Sequence, residues 1–194
     1  MAAYLLAFIF ALFHFPATIY THMVDTVSAS VVRVTGLTEA GDHFVCSGFV
    51  IRESRVLTAS HCVGTMTQAD GLAVTVIKVD PYYDLAVLDV KTNKHTLTFQ
   101  DAPVYRFEPV TAVGYAWGAT VLTALQARID IYDYAIAEDE APGIVVQNAY
   151  IGGMSGGPVV DESGAVVSIA QRAYSGMGFG VGTKLISAFL VGVR

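Results

Sequence analysis

The sequence predicts an all-β protein, and three observations lead to this class. Short runs rich in valine, isoleucine, threonine and aromatic residues recur along the chain, bounded by Gly, Pro, Asp or Ser. Long stretches with the 3.6-residue period of an amphipathic helix are scarce. Apolar residues make up 54% of the 194 residues and charged residues only 14%, so the chain buries a core and is not disordered.

The predicted strands fall into two groups, within residues 30–102 and 109–194, and the polar stretch between Pro103 and Pro109 connects them. We predict strands at 30–34, 43–51, 55–63, 72–79 and 84–90, then at 110–118, 119–134, 143–149, 159–160, 165–170 and 178–182. A short C-terminal helix follows to Leu190, with Thr183 as its N-cap. The two groups predict two β-domains in sequence.

The N-terminal segment is uncharged until Asp25 and strongly apolar. Residues 1–24 therefore predict a signal peptide or a membrane anchor. His14 and Pro16 interrupt the apolar run, and no Lys or Arg precedes it. A signal peptidase could cleave after Ala29, and the alternative to export or anchoring is a segment buried in the protein.

Charge and cysteine content restrict the partners. A net charge of −6 without a basic cluster argues against a nucleic-acid partner. Cys46 and Cys62 have neither Cys-x-x-Cys nor zinc-finger spacing, so we expect no metal and no cofactor. A single disulfide between them is the natural hypothesis and indicates an oxidising compartment: a secreted, periplasmic or membrane-anchored protein. Two free thiols in a cytosolic protein are the alternative.

A glycine-rich loop over residues 151–158 places Ser155 between glycines just before a valine-rich strand. Glycines permit tight turns and let a substrate approach the main chain. The amides of Gly153 and Ser155 are free to converge on the oxygen of a tetrahedral intermediate. The loop is therefore a candidate for a nucleophile, and a hairpin loop with an incidental serine is the alternative.

The run from Cys46 to Cys62, which ends in Thr-Ala-Ser-His-Cys, resembles the trypsin-like (chymotrypsin-fold) serine peptidases. The resemblance implies two six-stranded antiparallel β-barrels, a disulfide between the two cysteines, and His61 as catalytic histidine. The segment Asp-Leu-Ala-Val-Leu from Asp84 is similar to the family's aspartate motif, so Asp84 takes the orienting role. Asp80 and Asp89 are alternatives, but Asp80 belongs to a turn and Asp89 lies on the opposite side of the strand from Asp84.

The second half resembles the HtrA-like members of this family in its Val-Gly-x-x-x-Gly pattern, which ends at Gly118. Trp117 stands where that group has a different turn, and we expect it to pack against the protein. The resemblance covers residues 30 to about 190 and implies a member without a PDZ domain.

The family implies a serine endopeptidase that acts on polypeptides through an acyl-enzyme intermediate, with His61, Asp84 and Ser155 in the family's chain order. Met154 replaces the aspartate of zymogen-activated members, so activity should not need N-terminal cleavage. A viral or phage-type polyprotein-processing protease and an inactive binding module on the same fold are the alternatives.

The position of the primary specificity pocket also follows from the resemblance. Ala149 lies six residues before Ser155, where the family places the pocket floor, and Ala170 and Gly180 are the expected walls. These small residues imply a small or aliphatic P1 residue. Alternatively, Arg172 reaches into the pocket and favours an acidic P1.

Overall fold

A computed structural model describes residues 17–134, 143–148 and 150–193, and this part of the chain is mostly β-structure. The first half contains helix α1 (Ala17–Ser28) and strands β1 (Val31–Leu37), β2 (His43–Arg52), β3 (Arg55–Thr58), β4 (Thr65–Ala69), β5 (Leu72–Ala73), β6 (Thr75–Asp80) and β7 (Leu85–Asp89). The second half contains β8 (Pro109–Gly114), β9 (Thr123–Tyr134), β10 (Gly143–Gln147), β11 (Pro158–Val160), β12 (Val166–Tyr174), β13 (Met177–Gly182) and helix α2 (Thr183–Leu190). The all-β prediction with a short C-terminal helix is confirmed.

The first half forms one antiparallel sheet in the order β5-β4-β1-β2-β3-β7-β6. It has seven strands where six were predicted, and in the described residues β5 and β6 do not pair to close it into a barrel. The reason lies in the stretch predicted as one strand over 72–79, which breaks at Val74 into the two-residue β5 and the separate β6. A strand of two residues offers too few backbone groups to close the sheet.

The second half closes into a six-stranded barrel in the order β10-β13-β12-β11-β8-β9, as predicted. Its interior is filled by a cluster of apolar side chains that includes Ile129, Ile144, Met154 and Val159. Gly182 is the N-cap of α2, and Thr183 is the first helical residue, so the predicted N-cap was one residue late. The extended backbone of Gly182 makes the turn into the helix.

A single apolar cluster joins the two halves. Phe49 and Leu57 from the first sheet pack in the same cluster as Val113 and Ile169 from the barrel, and Phe49, Leu57 and Ile169 are fully inaccessible to solvent. Burial of apolar surface contributes about 25 cal/mol per Å², so this shared core fixes one half against the other. Loops that end on this shared core are thereby held at defined positions.

Helix α1 belongs to this shared core. Met23 and Val27 are buried in it, and both approach within 3.5 Å of the position that a Cβ would take on Gly164, in the turn between β11 and β12. A cleavage after Ala29 would remove all of α1 and uncover these contacts. In the described residues no helix has the length and apolar character needed to cross a membrane. Residues 1–16 of the predicted signal or anchor lie outside the described residues.

We expect Val27→Asp to destabilise the protein by several kcal/mol, because the new carboxylate would be buried without a partner. The matched control is Ile19→Asp on the same helix, where the side chain is 53% exposed and the cost should stay within about 0.5 kcal/mol. Urea unfolding followed by far-UV circular dichroism measures both. Equal unfolding midpoints for the two variants would mean that α1 does not contribute to the core.

Candidate active site

His61 and Asp84, predicted to act together, are in direct contact. His61 lies in a single 3₁₀ turn, Ser60–Cys62, directly after β3, and Asp84 immediately precedes β7. Since β3 and β7 pair side by side, the two residues meet at the same end of the sheet. His61 Nδ1 lies 2.8 Å from Asp84 Oδ2, so a proton on Nδ1 is donated to the carboxylate.

The Asp84 carboxylate accepts two further hydrogen bonds. Ser60 Oγ donates to Oδ1 at 2.7 Å, and the main-chain amide of His61 donates to the same oxygen at 3.0 Å. Burial by itself raises the pKa of Asp84, but the hydrogen bonds and charge of His61, together with the Ser60 hydrogen bond, outweigh it and lower the pKa below its usual value. Asp84 is therefore ionised at neutral pH and holds the His61 ring in one orientation.

The candidate nucleophile Ser155 points to a different partner. Its Oγ donates to the main-chain carbonyl of Gln171 at 2.9 Å, and no hydrogen bond joins it to His61 within the described residues. Its carbonyl oxygen accepts the Ser47 amide at 2.7 Å and lies 3.7 Å from Cys62 Sγ, next to His61 in the chain. Ser155 is thus anchored beside the His61 turn, with its hydroxyl directed to the barrel strand β12.

Two glycines of the loop over residues 151–158, which carries Ser155, adopt conformations that other residues avoid. Gly153 has φ of 96° and Gly156 has φ of 82°. A Cβ on Gly153 would collide with the carbonyl oxygen of Tyr115, and a Cβ on Gly156 with that of Ser47. In the part of the chain that the structure describes, the amides of Gly153 and Ser155 donate to no protein acceptor. The loop therefore presents two unused donors next to the Ser155 side chain.

Ser47 connects the first sheet to this loop, a role that the sequence analysis missed. Its side chain is fully buried, its Oγ donates to the carbonyl of Gly153 at 2.8 Å, and the same oxygen accepts the amide of Tyr115 at 2.9 Å. With its own amide bonded to the Ser155 carbonyl, Ser47 fixes the loop at two points and ties it to the turn at Tyr115. Its only signal in the sequence is its place directly after Cys46, in a segment that the disulfide holds.

Gln171 was also missed, and it connects the barrel to Asp84. Its side-chain amide donates to the carbonyls of Tyr83 at 2.7 Å and Asp84 at 2.8 Å, while its main-chain carbonyl accepts Ser155 Oγ. Asp84 has the left-handed φ of 51°, which is strained for a residue with a side chain. The two bonds from Gln171 support this conformation. A polar residue directly after the largely apolar run 166–170 is the signal that could have identified it.

Cys46 and Cys62 form the disulfide that the resemblance implies, with their Cα atoms 5.9 Å apart. In the chain-entropy model, closing a loop of this length contributes about 3 kcal/mol to stability. Among the described residues, these cysteines and His61 are the one grouping whose ligand atoms lie close enough for a metal ion. The disulfide leaves neither sulfur as a thiolate, so this group does not have the ligands that a metal site needs.

The predicted pocket residues lie in neighbouring strands. Ala170 in β12 pairs with Gly180 in β13, and both are buried. Ala149 lies outside the described residues. Its neighbour Tyr150 is buried in the barrel, and its ring lies 2.9 Å from the position that a Cβ would take on Gly178. An aromatic ring thus fills space in the barrel only a few residues before Ser155.

The prediction that Trp117 packs against the protein is wrong, because its side chain is 83% exposed. The buried residues of this turn are its neighbours Tyr115 and Ala116. Trp117 has φ of 59°, and this left-handed backbone directs its side chain away from the barrel.

Comparisons with known proteins agree on one family. The family model described as a trypsin-like peptidase domain matches residues 46–169. The Arabidopsis thaliana protein named Protease Do-like 2, chloroplastic, is 27% identical over 173 residues, which cover 74% of this chain and 27% of that protein. The chain therefore spans only about a quarter of the length of this relative.

Two solved structures share the fold. The Rv3671c protease from M. tuberculosis in its active form has a TM-score of 0.81 at 26% identity, with 92% of this chain and 87% of that chain covered. The HtrA-type protease AlgW with tripeptide has a TM-score of 0.77 at 20% identity, with 90% and 63% covered. The second likeness concerns the fold alone. It agrees with the closed barrel, the antiparallel first sheet and the C-terminal helix described above.

Proposed function

The chain belongs to the trypsin-like peptidase family, and we propose that it is a serine endopeptidase with Ser155 as nucleophile, His61 as general base and Asp84 as the group that orients His61. The observation that carries this proposal is the Asp84 carboxylate. It accepts hydrogen bonds from both the ring and the main chain of His61, beside the loop that bears Ser155.

The reaction begins when Ser155 rotates about its Cα–Cβ bond, from the Gln171 carbonyl towards His61. Because Nδ1 of His61 is held by Asp84, Nε2 is the nitrogen that takes the Ser155 proton as Oγ attacks the peptide carbonyl. Negative charge develops on the carbonyl oxygen, and the unused amides of Gly153 and Ser155 are the donors for it. His61 then gives the proton to the leaving amine, and water hydrolyses the acyl-enzyme by the same steps.

The substrate main chain before the scissile bond has a strand to pair with. β11 pairs with β12 only as far as Ile169, while β12 continues to Tyr174. An extended peptide can add to a sheet at such an edge through main-chain hydrogen bonds, which bind many sequences with similar strength. This favours a polypeptide substrate, with its acyl side along the end of β12.

For the P1 residue we propose a small or aliphatic side chain. Ala170 and Gly180 are small, the pocket floor at Ala149 carries no charge, and Tyr150 fills adjacent space in the barrel. Cleavage of a P1-scanning peptide library checks this, with Ala, Val and similar residues expected at P1. A strong preference for Lys or Arg would contradict it, and a preference for Asp or Glu would instead support a role for Arg172.

Activity should not require cleavage of the N-terminus. Met154 is fully buried and offers no carboxylate to pair with a newly formed terminal amine. Such a pairing is what a zymogen switch of the trypsin type uses. The disulfide further supports a compartment outside the reducing cytosol.

A fluorophosphonate probe tests the proposed function. The purified, uncleaved protein should be labelled and should hydrolyse peptides, whereas Ser155→Ala should do neither while it keeps the wild-type unfolding temperature. Ser163→Ala, at a serine in the turn between β11 and β12, is the matched control and should be labelled like the wild type. Labelling that persists in Ser155→Ala would exclude Ser155 as the nucleophile.

A further inference from the structure

An exposed tryptophan stands next to the loop of the candidate nucleophile. Trp117 is the single tryptophan of the chain and the most exposed of its large apolar residues in the described part. Its φ of 59° is a conformation that bulky residues rarely adopt. Large exposed aromatic surface on a strained backbone has a cost in stability, and such positions cluster at binding sites.

The turn that carries Trp117 is fixed in place. The Trp117 amide donates to the Gly152 carbonyl at 2.6 Å, the amide of Tyr115 donates to Ser47 Oγ at 2.9 Å, and Arg33 Nη2 donates to the Gly118 carbonyl at 3.2 Å. The backbone is therefore rigid while the indole remains in solvent. A rigid aromatic side chain can bind a partner with little loss of conformational freedom.

The turn also lies on a defined side of Ser155. The barrel strand β12 is on one side, where the Gly156 amide donates to Ala170 and Ser155 Oγ donates to Gln171. Strand β2 is on the other side, through the bond between Ser47 and Ser155. Trp117 belongs to the β2 side, because a Cβ on its neighbour Gly118 would lie 3.5 Å from the partly exposed Val45 in β2.

We infer that Trp117, with Val45, forms a binding site for the substrate residues that follow the scissile bond and selects a large apolar or aromatic side chain there. This rests on the proposed function, in which the acyl side of the substrate runs along β12. The acyl side of the substrate then lies along β12. The part of the chain after the scissile bond continues past Ser155 to the β2 side. The indole then buries apolar surface that it otherwise exposes to water.

The test compares two substrates with the same acyl side. One is a peptide with Phe or Leu in the two positions after the scissile bond, and the other ends in a methyl ester, whose leaving group has no apolar side chain. We expect Trp117→Gly to lower kcat/KM for the peptide about tenfold, the scale of a partly buried aromatic contact, and to leave kcat/KM for the methyl ester within about twofold. Glycine suits the positive φ, and Trp117→Phe should restore most of the peptide activity. Tyr105→Ala, at an aromatic residue that is 69% exposed, is the control and should change neither rate.

The single tryptophan also reports binding directly. In a Ser155→Ala background, its fluorescence emission should shift with the peptide that spans the scissile bond and stay unchanged with one that ends at P1. Equal loss of activity on both substrates would overturn the inference. It would also be overturned if the tryptophan emission changed with protein concentration and not with peptide, because a second copy of the chain would then be the partner of Trp117. Absence of labelling and hydrolysis in the wild type would instead refute the proposed function.

Discussion

We expect Asp84→Asn to lower kcat by about 10⁴-fold with little change in KM, because the side chain it replaces has two electrostatic tasks. The carboxylate accepts the Nδ1 proton of His61 and so leaves Nε2 free as the base. In the proposed reaction, it also stabilises the positive charge that His61 gains when it takes the Ser155 proton. A neutral asparagine cannot supply that charge, and its NH₂ group can donate to Nδ1, which favours the His61 tautomer with its proton on Nε2 and so blocks the base.

The control for this variant is Asp89→Asn, five residues further along the chain at the end of β7. Asp89 forms an ion pair with Arg55 at 2.6 Å and is partly exposed, so its loss should cost at most about 1 kcal/mol of stability and leave kcat unchanged. Peptide hydrolysis and urea unfolding of both variants measure the contrast. Similar kcat values for the two would remove Asp84 from the mechanism.

The pH dependence of folding stability independently tests the contribution of the ionised Asp84 carboxylate. Because the pKa of Asp84 is lower in the folded protein than its ordinary value of 3.8, ionised Asp84 stabilises the fold above that ordinary value. This stability is lost as the pH falls through the lower, folded pKa. The wild type should therefore lose more stability between pH 7 and pH 3 than Asp84→Asn does.

The pairing of His61 with Asp84 could be predicted because short motifs around both residues resemble those of the trypsin-like peptidases. Each residue adjoins a strand with a clear β pattern, and adjacent strands bring their ends together. Because side chains alternate between the two faces of a strand, Asp84 and Asp89, five residues apart, were predicted to lie on opposite sides. The ion pair of Asp89 with Arg55 agrees with this prediction. The identification of Ser155 as nucleophile remains a prediction that the labelling experiment tests.

Contacts between distant residues could not be predicted. Ser47 and Gly153 are 106 positions apart, and Gln171 and Asp84 are 87 apart. Each of these bonds exists only because the shared core brings the two halves together, and no pattern within either half encodes it. The rotamer of Ser155 could not be predicted either, because it depends on the position of the Gln171 carbonyl.

The N-terminal segment shows why an apolar composition is ambiguous. A signal peptide, an anchor and a core helix all need apolar side chains, and composition alone does not tell which surface covers them. The structure places Met23 and Val27 of α1 in the protein core. Trp117 is the opposite case: an aromatic residue near a β-hairpin usually packs, but the left-handed backbone of the turn directs this one to solvent.

We expect Gly153→Ala to lower kcat by about 10²–10³-fold, the loss that follows removal of one donor to the oxygen of a tetrahedral intermediate. A Cβ at this position would collide with the Tyr115 carbonyl oxygen and would come within 3.1 Å of the Gly118 amide nitrogen. Both groups are main-chain atoms of a turn that several hydrogen bonds hold, so neither can move aside. With φ at 96°, the alanine itself is also strained, and the segment must shift and take its amide away from Ser155.

Gly152 offers a matched control one residue earlier in the same loop. A Cβ there meets no atom of the described residues within 4 Å, and its φ is not in the left-handed region. Gly152→Ala should therefore keep kcat within about threefold of the wild type, since it removes no donor and creates no collision. Thermal unfolding shows whether Gly153→Ala remains folded at the assay temperature. The two variants differ in whether the Gly153 amide is displaced. If the folded Gly153→Ala protein turned over peptides as fast as Gly152→Ala, the Gly153 amide would have no part in binding the intermediate.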